Sequence, residues 1–227
     1  MKRIKKESIV PLVLAVSFNM LVYVGARMIA ADWHHYNIES PIDQWIPFWP
    51  PWLFVYLGCY LFWAVNYTII AQQEEKSVSQ FFSADLLSRI VCFFFYLAIP
   101  TTNIRPELAA DGFWNKAMLF VYAIDAPDNL FPSIHCLVSW LSYIGLRGKE
   151  NIPGWYRKLS CFFAILVCFS TLFTKQHVII DVVGGILLAE ICVWIGKKDF
   201  IWGMYYRFLE KINNKIFSKE KKAGGVQ

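Results

Sequence analysis

The chain has 227 residues, 57% of them hydrophobic and 18% aromatic, with a positive mean hydropathy. That is too apolar for a water-soluble domain and points to a polytopic membrane protein. The formal net charge of +5 is not a nucleic-acid signature, because the basic residues gather at the ends of apolar runs and in the tail.

Residues 1–6 are charged, and the apolar run after them lacks a small-x-small cleavage site. It therefore reads as a retained anchor rather than a signal peptide. With roughly 17–25 residues per crossing, six transmembrane helices are predicted, at about 8–30, 51–71, 81–99, 131–146, 159–173 and 178–196. The expected fold class is an all-α polytopic bundle forming a single domain over 1–227, with its core at 8–196 and a basic tail at 197–227.

Several features lie along the way. Asp32, His34 and His35 read as a polar loop rather than a metal site. The Trp- and Pro-rich stretch 45–52 looks like an interfacial aromatic belt with a rigid lead-in to the second span. Asp85 and Arg89, four apart in the third span, read as a structural ion pair. The six cysteines fall in apolar runs without a CxxC pair and read as packing residues. In the tail, aromatic and basic residues interleave from Lys197 to Lys222. That pattern suits either an amphipathic helix on the anionic inner leaflet or a solvated flank.

Charge placement sets the expected orientation. Lys2, Arg3, Lys5 and Lys6 precede the first span, and Lys76 follows the second. Arg147, Lys149, Arg157 and Lys158 separate the fourth from the fifth, and the tail is basic, whereas the opposite loops hold only Arg105, Lys116 and Lys175. By the positive-inside rule both termini are cytoplasmic, the protein sits in the cell membrane, and the polar groups of interest lie on the extracytoplasmic face.

Those groups centre on two histidines, each at the start of an apolar run, where ionisable residues are costly unless they act. His177 and Asp181 are four apart and share a helix face. A carboxylate on one imidazole nitrogen fixes the tautomer and leaves the other as a better nucleophile. The same pair also suits a polar clasp between helices. Lys175 lies just upstream, where an attacked phosphate needs a cation. Pro132 suits a first helical turn, so the N–H groups of Ser133, Ile134 and His135 are expected to point outward as an anion site, with the Ser133 hydroxyl donating to phosphate. His135 is placed to protonate a leaving alkoxide, and a buried core histidine is the bland alternative. Arg105, just past the third span, offers a guanidinium fork for phosphate or an interfacial anchor. Asp125, Asp128 and Asn129 precede the fourth span and suit contact with a headgroup hydroxyl, or else solvent and a helix cap.

Arg105-Pro106, then Pro132-Ser133-Ile134-His135, then His177-x-x-x-Asp181, in that order on one membrane face, resemble the type 2 phosphatidic acid phosphatase superfamily. Its motifs read K-x6-RP, PSGH and SR-x5-H-x3-D, and Ser170 matches the serine of the third. The likeness spans roughly 99–185 and departs at Ala98, Ile134 and Thr171, which replace a lysine, a glycine and an arginine. These departures look like the branch near inositol-phosphorylceramide synthases and related lipid phosphotransferases. The resemblance implies His177 as nucleophile, Asp181 as its orienting partner and His135 as general acid. It further implies Arg105 and Ser133 as phosphate holders, with no metal or other cofactor. The substrate implied is a membrane lipid phosphate or diphosphate, hydrolysed through a phosphohistidine. Transfer to an alcohol, or lipid binding or transport without catalysis, are the alternatives.

Overall fold

A computed structural model describes residues 8–223 of the chain, with side chains to 216. Lys2, Arg3, Lys5 and Lys6, and the side chains of Lys219, Lys221 and Lys222, lie outside the described residues. The fold is an all-α bundle. In chain order it contains α1 (Ile9–Ala30), a short α2 (Pro41–Trp45), a 3-10 turn (Pro50–Trp52), α3 (Leu53–Ala71), α4 (Glu75–Ala98), α5 (Gly112–Ile124), α6 (Ile134–Ile144), α7 (Gly154–Phe173), α8 (Ile179–Gly196) and α9 (Asp199–Ala223). Two-residue strands β1 (Tyr36–Asn37) and β2 (Thr101–Thr102) pair in parallel.

Among the described residues five helices are long and apolar enough to cross a membrane: α1, α3 with its 3-10 lead-in, α4, α7 and α8. Their outward faces carry large apolar side chains such as Val16, Leu61, Phe94, Phe162 and Trp194, as a lipid-facing surface requires. α6 is an 11-residue helix, shorter than the 131–146 span expected. The segment that holds it, 133–149, reaches both ends of the bundle. The Ser133 N–H at its start donates to the Asp181 carbonyl at the start of α8 (3.1 Å), while beyond its end Lys149 reaches Ser77 near the start of α4 (2.6 Å).

Other boundaries shift for physical reasons. α4 begins at Glu75 and α7 at Gly154, a turn or more before the apolar runs, because polar turns extend both helices. Pro153 suits the position before α7, where an amide N–H would have no helical partner. α5, amphipathic and 13 residues long, was not among the expected elements. α9 is neither a solvated flank nor detached. It packs on α4, with Tyr205 and Leu209 buried, and the Lys76 and Lys198 ammonium groups lie over the Trp202 and Trp194 rings.

Contacts define two ends. Ser8, at the foot of α1, donates to the Ala71 carbonyl at the end of α3 (2.7 Å), beside the start of α4. At the opposite end, the 3-10 lead-in to α3 meets the close of α7, where Trp49 N–H bonds the Phe173 carbonyl (2.8 Å) and Trp52 stacks on the Phe173 ring. That cluster fulfils the rigid, aromatic lead-in read from stretch 45–52. The starts of α6 and α8 are pressed together where Gly185 faces Ser133: a Cβ there would sit 2.7 Å from the Ser133 carbonyl oxygen. The pair Asp85–Arg89 forms as expected (2.9 Å), both side chains buried, with Tyr67 donating to the same carboxylate oxygen (2.6 Å).

Candidate active site

The site occupies the end of the bundle where α3, α6 and α8 begin. The segment after α4 stitches it together. Thr101 Oγ1 accepts the N–H groups of Leu130 (3.2 Å) and Phe131 (2.9 Å), fixing the approach to α6. Asn103 donates to the Lys175 carbonyl (3.0 Å), fixing the approach to α8, and the Tyr96 hydroxyl donates to the Pro132 carbonyl (2.9 Å).

His177 sits in the turn between α7 and α8. Gln176 and His177 N–H groups both donate to the Thr171 carbonyl (3.0 and 3.1 Å), with Lys175 in the left-handed region (φ 54°) to close the turn. His177 Nδ1 lies 3.2 Å from Asp181 Oδ2, which also accepts the Val178 N–H (3.0 Å). Nδ1 thus faces a buried carboxylate, and Nε2 is the nitrogen left for chemistry. Burial pushes the His177 imidazole toward neutrality, but the hydrogen bond and charge of Asp181 outweigh it and hold its pKa above the ordinary histidine value.

His135, on the first turn of α6, packs its ring against Tyr56 (4.5 Å between centroids) and Trp63 (5.6 Å). Its centroid is 5.8 Å from that of His177, and its Nε2 is 3.5 Å from the Tyr60 hydroxyl. Both histidines line one cavity of about 410 Å³, along with Arg105, Asp125, Asp128 and Asn129. The two ends of the sequence likeness therefore meet in one hollow. Asp181 stands behind His177, fully buried.

Not every expected role fits. The Ser133 hydroxyl is fully buried and off the cavity wall; its oxygen caps α6 by accepting the Cys136 N–H (3.3 Å), and its burial rather than that bond keeps it from the cavity. It, and not Asn129, caps this helix. Of the helix N-terminal N–H groups expected as an anion site, that of Ser133 bonds the Asp181 carbonyl (3.1 Å), and on α8 that of Ile179 bonds Asp43 Oδ1 (2.7 Å). Lys175 turns its ammonium to the Asp43 carbonyl (2.8 Å) on α2 and does not line the cavity.

The polar loop before α6 is not solvated. Asp125 receives the hydroxyls of Tyr23 and Tyr56 (2.9 Å for the latter). Burial pushes its carboxyl upward, but neighbouring His135 and the two tyrosine hydroxyls outweigh it and hold it below the usual carboxylate range. Asp128 pairs with Arg27 (3.1 Å), and Asn129 Nδ2 bonds the Tyr23 carbonyl (3.2 Å). Arg105 lies over the Tyr122 ring, donates to the Asp125 carbonyl (2.5 Å) and to Gln176 Oε1, and keeps a buried Nε without a partner among the described residues.

Sequence reasoning missed Tyr23, Tyr56, Tyr60, Trp63, Tyr96 and Gln176, all on the cavity wall. One signal was available: Tyr56, Tyr60 and Trp63 recur at i, i+4 and i+7 on α3, a helix face of rings at the end that carries the histidines. Among the described residues no group of three or more His, Cys, Asp or Glu side chains could hold a metal ion. Comparison of the chain with protein-family models, curated proteins and solved structures finds no match.

Proposed function

We propose that this multi-pass membrane protein is a lipid phosphatase of the type 2 phosphatidic acid phosphatase kind, acting through a phosphohistidine at His177. The observation that carries the reading is a second histidine 5.8 Å from a histidine whose Nδ1 is engaged by a buried carboxylate, both on one cavity wall. His177 Nε2 attacks phosphorus and the P–O bond to the lipid alcohol breaks. His135 gives its proton to the departing alkoxide, then takes one from the water that cleaves the P–N bond. Arg105 Nε and Gln176 Nε2, buried on the wall without partners among the described residues, are the donors available to phosphate oxygens. Passing the group to an alcohol instead of water uses the same covalent step.

α6 serves as a sixth crossing in this reading. Lys76, Arg147, Lys149, Arg157, Lys158, Lys197 and Lys198 lie at the end opposite the cavity, which supports cytoplasmic termini and an extracytoplasmic site in the cell membrane. The cavity is also lined by Met20, Leu57 and Ile124, apolar residues that suit lateral access for a lipid.

The test is release of phosphate, diphosphate or phosphorylated headgroup by purified protein in maltoside detergent with EDTA, from lipid monoesters, diphosphates and diesters in parallel. Metal-independent turnover supports the reading, and no release from any lipid class by folded protein refutes it. The acid limb of the pH–rate profile adds a second check. Because Asp181 raises the His177 pKa, and attack needs the neutral ring, activity should grow as pH rises through a value above the ordinary 6.5. In Asp181→Asn that limb should move to lower pH while the plateau falls. An unmoved limb would separate Asp181 from the titrating group.

A further inference from the structure

α9 has two faces. Tyr205 and Leu209 are buried against the bundle, and Ile212 packs beside them. Phe200, Met204, Arg207, Phe208, Lys211 and Lys215 recur three and four apart along a different face, and all six are exposed. That face is apolar at its start and basic toward its end. Among the described residues none of its three cations is in an ion pair. Rings and cations also mix nearby, where the Lys76 and Lys198 ammonium groups lie over Trp202 and Trp194, as they do at the headgroup level of a bilayer.

A hollow opens beside this face. Leu14, Ala15 and Phe18 of α1, Phe82 and Ile90 of α4 and Phe208 of α9 line a cavity of about 150 Å³. Ile90 and Phe208 are themselves 39% and 47% exposed, so the hollow opens on the outer surface of the bundle. Asp85 reaches it too, with its charge answered by Arg89 (2.9 Å). An apolar hollow of this size stays dry and takes hydrocarbon. Lys211 lies one helical turn beyond Phe208 and Arg207 is its chain neighbour, so a hydrocarbon chain seated here has two unpaired cations close to its mouth.

We infer that α1, α4 and α9 hold one anionic phospholipid of the leaflet at this end of the bundle, with an acyl chain in the hollow and its headgroup on Arg207 and Lys211. The site lies at the end opposite the His135–His177 cavity. It therefore takes a resident lipid rather than the substrate, and it does not rest on the phosphohistidine reading. In the orientation proposed above this leaflet is the cytoplasmic one, whose anionic lipids supply the charge that the basic half of the face lacks. A zwitterionic lipid with the same chains would fill the hollow and leave the cations unanswered, so headgroup charge sets the preference.

The test is native mass spectrometry of the full-length protein in maltoside, with phosphatidylglycerol and phosphatidylcholine of identical acyl chains. One phosphatidylglycerol per chain should stay bound under activation that strips phosphatidylcholine, with a preference of at least about tenfold at equal concentration. In the double variant Arg207→Gln with Lys211→Gln, both positions being exposed, that preference should fall to near unity. In Ala15→Leu, which fills the hollow, both lipids should be retained less. Glycerophosphoglycerol, the headgroup without its chains, should not compete. Each variant is first checked for an unchanged melting profile without added lipid. Equal retention of the two lipids, a preference that survives the double variant, undiminished retention in Ala15→Leu, or competition by the bare headgroup overturns the proposal. So does a dimer that leaves lipid unbound, which would give this face to a second copy of the chain.

Discussion

Turnover by His177→Ala is expected to fall at least about 10³-fold, with the protein's melting profile unchanged, because in the proposed course His177 Nε2 is the atom that bonds phosphorus. Water in the emptied space would have neither the orientation nor the tautomer control that Asp181 provides through Nδ1 (3.2 Å). His135→Ala should lose less, about 10²-fold. The loss should shrink for substrates whose leaving group needs no proton, such as an aryl ester, since His135 serves the departing oxygen. If both variants lost the same amount on both substrate types, the division of labour between the two rings would be wrong. The measurement is initial rate against lipid and aryl esters in the same detergent.

Arg89→Ala should be the most destabilising single change in the core, by about 3–5 kcal/mol, because it leaves the Asp85 carboxylate buried with only Tyr67 for company. Asp85 and Arg89 lie on α4, which packs against both α1 and α8, so the damage reaches the helix that carries Asp181. Arg89 Nε and Nη1 already lack partners among the described residues, so the guanidinium is held mainly by that one carboxylate. Replacing both residues together, as Asp85→Asn with Arg89→Met, should cost much less, since no uncompensated charge is left behind. Thermal melts in detergent check both. Equal losses for the single and the double variant would mean that the pair contributes packing rather than charge.

Hydrophobic run length made the bundle legible, because a lipid-facing helix must be apolar along its whole length. α1, α3 and α8 accordingly fall within a residue or two of where those runs place them. Helix ends rich in polar turns, as at Glu75 and Gly154, carry no such mark. α6 is legible through its apolar run together with Pro132 and Ser133, although its helix is 11 residues long. α5 escaped because an amphipathic helix of 13 residues falls short of span length.

In the site, the His177–Asp181 spacing was readable because i and i+4 share a face wherever a helix forms. The fates of Ser133 and Lys175 were not. Whether a serine caps its helix or faces a ligand depends on its rotamer. Whether a lysine points into a cavity depends on its rotamer and on what nearby acceptor it finds, here the Asp43 carbonyl. The aromatic wall was hidden for another reason: Tyr23, Tyr56 and Asp125 come from α1, α3 and the end of α5, and only tertiary packing brings them together.

The most direct test of the central claim is to stop turnover within milliseconds and look for phosphorus on the protein. Wild-type protein mixed with isotopically labelled lipid substrate and quenched in alkali should carry an acid-labile, base-stable adduct. Peptide mass spectrometry should place it at His177, and it should be absent from His177→Ala. Turnover with no adduct at any time point, or an adduct on His135 instead, would contradict the account.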